Sequence, residues 1–436
     1  MPVPVPRTRT ALPARRLLSG VLALLLAACG GGGADGRVEI KISGSALGKE
    51  GEVLVRQIAR FERTHPGIRV EIQRTPDDAT QRHQLYVQWL NARVGTPDIL
   101  QLDVVWTPEF AAAGWILPLD RFRPDRADFF PASLQANTWR DTLYALPWFM
   151  DVGMLYWRTD LLPAPPRTLD ELLLLARRGR AGTGAPSRGI VWQGARYEGL
   201  VTVFLEYLGG FGGRILTPDA RVAVDSPEGV RALTFMRDQV LRHGIAPREV
   251  LTWHEEETRF AFQNGTAVFM RNWPYAVALL NDPAESRVAG RFAVAPMPAG
   301  SGGRPTATLG GAQLAVNAWS RHPEAAYRLI AFLTAPEQML ERAAVVGQYP
   351  ARRSVYADPR LQRSLPVPVA QVRAIVEAAT PRPVTPIYTQ LSEVLQIHLH
   401  RALVGQAAPE AALRDAAREM ERIIESTGIR RPAARG

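Results

Sequence analysis

Pro97-Asp98-Ile99-Leu100-Gln101-Leu102-Asp103 reads as a short buried strand that ends on a carboxylate. It closes a repeating pattern. Upstream, Val38-Glu39-Ile40-Lys41-Ile42-Ser43-Gly44 alternates apolar and polar residues and stops at glycine, and residues 50–64 carry Val53, Ile58 and Phe61 at helical spacing before Pro66-Gly67. A second strand over residues 69–73 leads through a loop around Asp77 and Asp78 to a helix with Leu85, Trp89 and Leu90. Strand, helix, strand, helix, strand is βαβαβ, whose crossovers require parallel neighbours in one sheet. The fold class is therefore α/β. At 436 residues the chain exceeds what one hydrophobic core usually supports, so two lobes are expected.

Downstream, residues 143–151 read as extended and residues 152–157 as a strand, which puts a first crossing between lobes here. Thr168-Leu169-Asp170-Glu171 is a capping box opening a leucine-rich helix, and Ser226-Pro227 pairs an N-cap with proline at the first helical position. Between them lie a strand at 189–193, a helix at 197–208 and the glycine loop 209–213. A helix over 255–263 then feeds Ala267-Val268-Phe269, a strand that runs into Met270-Arg271-Asn272-Trp273-Pro274-Tyr275. Helical apolar spacing follows from Trp273 to residue 280, with Pro274 in the first turn. Strand-to-helix junctions are where open α/β sheets place ligands. Trp273 and Tyr275 offer flat apolar faces with polar tips, which suits a sugar; the alternative is that both are core aromatics. A strand at 292–295 precedes Thr308-Leu309-Gly310-Gly311, the second expected crossing, and helices are expected at 323–333, 336–346, 369–379, 388–403 and 409–425.

The net charge of +10 resembles a nucleic-acid signal until its origin is traced. Arg7, Arg9, Arg15 and Arg16 lie in residues 1–28, which hold no acid, so the remainder carries +6. Lys41 and Lys49 are the only lysines, and the arginines are scattered among acids rather than gathered in a stripe. Nucleic acid is not an expected partner. Arg15-Arg16 precede an apolar run over 17–28 that is too short to span a bilayer but suits a signal-peptide core. The run ends Leu26-Ala27-Ala28-Cys29, similar to a bacterial lipoprotein cleavage site, and Cys29 is the only cysteine. The expectation is a signal peptide over 1–28, then a lipid-modified Cys29 and a glycine-rich tether over 29–36 that holds the protein outside the cytoplasm on a bacterial membrane.

Several chemistries are excluded by what is missing. No serine has nucleophile-elbow surroundings, no His-Glu-x-x-His follows from His254-Glu255-Glu256-Glu257, and neither lysine follows a phosphate-loop glycine pattern. No cofactor and no metal are called for. Carboxylates remain: Asp103 and Asp151 end extended segments and Glu50 sits where the first strand hands over to its helix, so all three can face one cleft. Two carboxylates across a sugar suit a glycosidase, but they equally suit a receptor accepting hydroxyl hydrogen bonds, with arginine as the matching donor. Each is alternatively a helix cap or a surface acid.

Motifs in order over nearly the whole chain resemble the extracytoplasmic solute-binding proteins of carbohydrate ABC importers, and most closely their trehalose/maltose-binding branch. They are Phe61-Glu62-x-x-His65-Pro66-Gly67, Thr96-Pro97-Asp98-Ile99 leading to Asp103-Val104-x-Trp106, and Gly114-Trp115-x-x-Pro118-Leu119-Asp120. Next come Leu143-Tyr144-Ala145-Leu146-Pro147, Asp151-x-Gly153, Val191-Trp192-Gln193-Gly194 and Tyr197-Glu198-Gly199-Leu200. The series ends with Arg271-Asn272-Trp273-Pro274-Tyr275, Ala307-Thr308-Leu309-Gly310-Gly311 and Pro381-Arg382-Pro383.

The resemblance implies a type II periplasmic-binding-protein fold with sugar held between hinged lobes. It divides the chain into residues 37–148 and 310–358 for lobe 1 and 149–309 and 359–428 for lobe 2. It also implies a monomeric receptor, not an enzyme, that captures a disaccharide or glucoside and delivers it to permease subunits. Carried over are polar contacts at Glu50, Arg82, Asp103, Asp151 and Arg382, aromatic faces at Trp273 and Tyr275, and backbone at Gly311. Three positions depart from the branch: Phe149 replaces a tyrosine, Asp77 a threonine and Ala312 a tryptophan, which redirects the expected choice among sugars. Two rival readings are a secreted glycoside hydrolase using Asp103 and Asp151, and a sugar sensor docking on a signalling receptor.

Overall fold

A computed structural model describes residues 36–44, 48–76, 79–181 and 184–429. Asp77, Cys29, the 1–28 leader and nearly all of the tether fall outside them. In chain order the strands are β1 (Val38–Gly44), β2 (Ile68–Arg74), β3 (Ile99–Asp103), β4 (Thr138–Trp139), β5 (Thr142–Leu143), β6 (Ala145–Pro147), β7 (Asp151–Val152) and β8 (Met154–Arg158). They continue with β9 (Arg188–Val191), β10 (Ala267–Asn272), β11 (Phe292–Ala295), β12 (Ala307–Gly310), β13 (Ala312–Val316) and β14 (Ala379–Thr380).

The βαβαβ reading holds for the first three strands. β1 pairs in parallel with both β2 and β3, and the helices Gly48–Thr64 and Ala79–Asn91 form the crossovers. The whole sheet, ordered β2-β1-β3-β13-β6, is mixed, because β13 returns from late in the chain antiparallel to β3 and β6. β3 is buried on both faces: Ile99 joins the main core, while Leu100 and Leu102 meet Tyr86, Trp106 and Phe110 on the other side. A lone strand pattern of apolar residues without alternation is what two covered faces demand.

The second lobe is organised on the sheet β11-β8-β10-β9, with β10 central and entirely buried. Its helices start largely as their sequences dictate. Ser226 Oγ accepts from Gly229 N at 3.3 Å, with Pro227 at the first helical position. Thr168 Oγ1 accepts from Glu171 N at 3.1 Å, but the return bond of the capping box goes one residue back, from Arg167 N to Glu171 Oε2 at 2.6 Å.

A third sheet joins the lobes. β12 pairs antiparallel with β7 (Leu309↔Val152, Gly310↔Asp151) and parallel with β14 (Ala307↔Ala379, Thr308↔Thr380). β7 leads from β6 of the first sheet into β8 of the second, and β12 leads through Gly311 into β13. Gly311 turns the chain at φ 105°, and a Cβ there would lie 2.9 Å from Asp151 N and 3.0 Å from Met150 Cα. Only glycine fits such a corner.

Candidate functional site

The junction after β10 is anchored from below by an ion pair. Arg271 and Glu206 are both fully buried; Arg271 Nη2 donates to Glu206 Oε1 at 2.5 Å and Nε to Oε2 at 2.9 Å. Gln193 Oε1 takes Nη1 at 3.2 Å and Thr308 N donates to Glu206 Oε1 at 3.3 Å, so the pair touches the hinge strand as well. Gly153 faces this pair, and any Cβ there would collide with both side chains.

Past Asn272 the chain leaves the core. Trp273 and Tyr275 are each half-buried, the turn Pro274-Tyr275 intervenes, and the helix begins only at Ala276 (Ala276–Leu280), so Pro274 precedes the helix rather than opening it. The Arg271 guanidinium lies 4.0 Å over the Trp273 ring, and the indole Nε1 donates to Glu255 Oε1 at 3.3 Å. A Cβ on Gly310 would lie 3.4 Å from both the Trp273 ring and the Asp151 Cβ, so the indole and that carboxylate flank the same hinge residue and share one wall. The Tyr275 hydroxyl donates to Glu256 Oε1 at 2.6 Å.

Three carboxylates come together at the hinge strand β7. Glu50, Asp103 and Asp151 are half-buried, and the charges of Glu50 and Asp103 add to burial in pushing the Asp151 carboxyl up to about 7. Asp103 accepts from Arg382 Nη2 at 3.3 Å, while Arg382 Nη1 donates to Glu198 Oε1 at 2.8 Å, so one guanidinium bridges the two acids. Burial opposes the charge on Arg382, but these two acids outweigh it and raise its pKa. Glu50 is tied to its own lobe through Gln348, whose Nε2 donates to Glu50 Oε1 at 2.9 Å and whose Oε1 accepts from Arg342 Nε at 2.8 Å. Arg342 in turn lies under the aromatic wall, 4.0 Å from the Trp148 ring and 5.5 Å from Phe149.

A hinged pair of α/β lobes with acceptors and an indole at the junction is the frame of a receptor, and one family matches it. A family profile described as bacterial extracellular solute-binding protein covers residues 45–340. The chain belongs to that family. A Deinococcus radiodurans protein named as a probable ABC transporter-binding protein is 36% identical over 371 residues, covering 82% of this chain and 87% of the relative. Among solved structures, maltose-bound MalE3 of Thermotoga maritima aligns with TM-score 0.79 at 43% identity, covering 88% of this chain and all (100%) of the other. An ABC transporter solute-binding protein of Thermotoga lettingae bound with α-D-tagatose aligns with TM-score 0.75 at 28% identity, covering 89% and 99%. This solute-binding protein is thus the extracytoplasmic recognition component of an ABC transporter and not an enzyme, which removes the glycosidase alternative.

Within the solute-binding protein, Glu50, Asp103, Asp151, Trp273, Gly311 and Arg382 gather around the hinge sheet, with Phe149 beside them. Tyr275 stands on the same junction but turns its hydroxyl towards the helix Glu255–Gln263. Arg82 is engaged inside lobe 1, 5.5 Å over Trp106 and donating to the Pro76 carbonyl at 2.9 Å. Glu198, Arg342, Gln348 and Glu255 escaped sequence reasoning. Arg342 did leave a signal: it lies three residues after Met339 on the buried face of its helix, where an unpaired charge is costly.

Asp151 also gives a pH prediction. Its ordinary value is 3.8 and its folded value about 7, so between these pH values the folded form holds a proton that the unfolded chain has lost. Stability therefore falls as pH rises through this window, and the cost is complete above 7. Discounted for the half-open side chain, it is about 2 kcal/mol. Asp151→Asn is expected to flatten the decline in melting temperature between pH 5 and 8; an unchanged slope would assign the decline to other groups.

Proposed function

We propose that this solute-binding protein captures an α-linked glucose disaccharide, of maltose or trehalose type, and delivers it to permease subunits of an ABC importer. The observation that carries the reading is the half-buried Trp273 indole sharing a wall with Asp151, a flat apolar face beside strong hydroxyl acceptors. The maltose bound to the Thermotoga maritima neighbour supports the same class. Glu50, Asp103 and Asp151 accept sugar hydroxyls, Arg382 and Arg82 donate, Trp273 and Tyr275 stack, Gly311 offers backbone and Phe149 walls the pocket. Asp77 is a further acceptor in this reading. Ala312, buried at the hinge, leaves room where the trehalose/maltose branch carries an indole.

The hinge motion runs through β7, β12 and β14. Ligand favours closure because it touches both lobes only when they meet, and a strong bias needs about 5 kcal/mol of differential binding. Charge-assisted hydrogen bonds at roughly 1.5–3 kcal/mol each, with stacking, supply it. In this reading lobe 1 comprises residues 37–148 and 310–358 and lobe 2 residues 149–309 and 359–428, and the helix Pro359–Ser364 at the last boundary packs against Pro336–Val346. A lipid on Cys29 holds this monomer at the membrane.

A thermal-shift and calorimetric screen with maltose, trehalose, sucrose, glucose and α-D-tagatose tests the ligand class. Maltose or trehalose at ~1,000 times its dissociation constant is expected to stabilise the fold by about 4 kcal/mol. A preference for tagatose, or silence with every disaccharide, overturns the assignment.

A further inference from the structure

The acidic run Glu255-Glu256-Glu257 plays no part in the contacts assigned to the sugar, yet it meets both aromatics of the platform. It opens the helix Glu255–Gln263, which packs on β10. Glu255 holds Trp273 twice. Its carboxylate takes the indole N–H at 3.3 Å. Its backbone carbonyl accepts from Asn272 Nδ2 at 3.2 Å, and Asn272 Oδ1 in turn accepts from Trp273 N at 2.8 Å. Glu256 takes the Tyr275 hydroxyl at 2.6 Å while Arg259, almost wholly buried, grips the same carboxylate through Nε at 3.1 Å and Nη2 at 2.5 Å.

Arg271 over one face of the indole and Glu255 on its N–H hold the ring from two directions. Both polar tips of the platform are turned away, towards the helix. What the aromatics present is therefore apolar ring surface, the partner that sugar C–H groups take.

We propose that Glu255 and Glu256 are positioning residues that fix the ring planes of Trp273 and Tyr275 before sugar arrives, so that stacking is not opposed by the cost of ordering the rings. The inference rests on the assignment of Trp273 as a sugar contact. Pre-ordering an interface side chain lowers the entropy cost of binding, and loss of one ordering hydrogen bond corresponds to about a 5- to 10-fold loss of affinity.

The test is calorimetry with maltose and trehalose on the full chain carrying Glu255→Ala, Glu255→Gln, Trp273→Ala and the double variant Glu255→Ala/Trp273→Ala. Glu255→Ala is expected to weaken binding about 5- to 10-fold with the ligand-free melting temperature nearly unchanged, and Glu255→Gln, which still offers a carbonyl acceptor to the indole, to restore most of it. In the Trp273→Ala background Glu255→Ala should cost nothing more, because it acts through the ring. Additive losses, or a glutamine variant as weak as alanine, overturn the positioning role and make the carboxylate a direct contact. If Trp273→Ala itself binds sugar normally, it is the ligand assignment that falls.

Discussion

Replacing Trp273 with alanine is expected to weaken disaccharide binding by about 100- to 1,000-fold while leaving a folded, soluble apo protein. The size follows from the place of the ring. Large aromatics at the centre of a recognition surface contribute about 2–4 kcal/mol on truncation, and tenfold in affinity corresponds to about 1.4 kcal/mol. Trp273 is half-buried in the ligand-free chain, its backbone N is held by Asn272 and its carbonyl accepts from Tyr156 Oη at 2.6 Å, so the backbone path survives loss of the side chain. The fully buried residues beneath it, Met270 and Phe269, carry the packing of β10. Calorimetry against maltose and trehalose with a parallel thermal melt separates the two roles. A collapsed apo protein would make Trp273 a core aromatic. Retained affinity would remove it from the ligand.

The sequence made the first half of lobe 1 legible because β1, β2 and β3 follow one another with their crossover helices between them. β13 belongs to the same sheet but arrives some two hundred residues after β3, and no local pattern reports such a partner. The hinge strands β7 and β14 are two residues each, below the length at which alternation has meaning, although the glycines of Leu309-Gly310-Gly311 did mark the crossing. The carboxylates Asp103 and Asp151 stood out by ending extended segments. Glu198 did not, because nothing local distinguishes an acid in a first helical turn from one that reaches Arg382, Tyr388 Oη and Ser392 Oγ together. The helix Pro359–Ser364 was missed for a related reason: six residues with a single buried side chain, Leu361, carry little periodicity. The capping box at Thr168 shows the limit of motif reading at atomic scale, since its serine-like cap formed while its glutamate chose Arg167 N.

Removing Glu206 is expected to destabilise the protein by about 3–5 kcal/mol, the usual cost of leaving the partner of a buried pair without its counter-charge. Glu206→Ala strands the Arg271 guanidinium where neither side chain has any exposed surface. Water cannot reach it, and Gln193 Oε1 at 3.2 Å is a neutral substitute. The double variant Glu206→Met/Arg271→Met separates stability from function. Apolar replacement of a buried pair is often neutral, so the double variant should recover most of the urea midpoint lost by Glu206→Ala. It should not recover sugar affinity, because the guanidinium 4.0 Å from the Trp273 ring is gone and the indole can tilt into the vacated space. The pair therefore has two separable consequences: its charge balance holds β10 against the helix Glu198–Gly210, and its cation backs the aromatic face above. A double variant as unstable as Glu206→Ala would show that the cost lies in packing around Gly153 rather than in an uncompensated charge, and one that binds maltose like the parent would show that Trp273 needs no cation behind it.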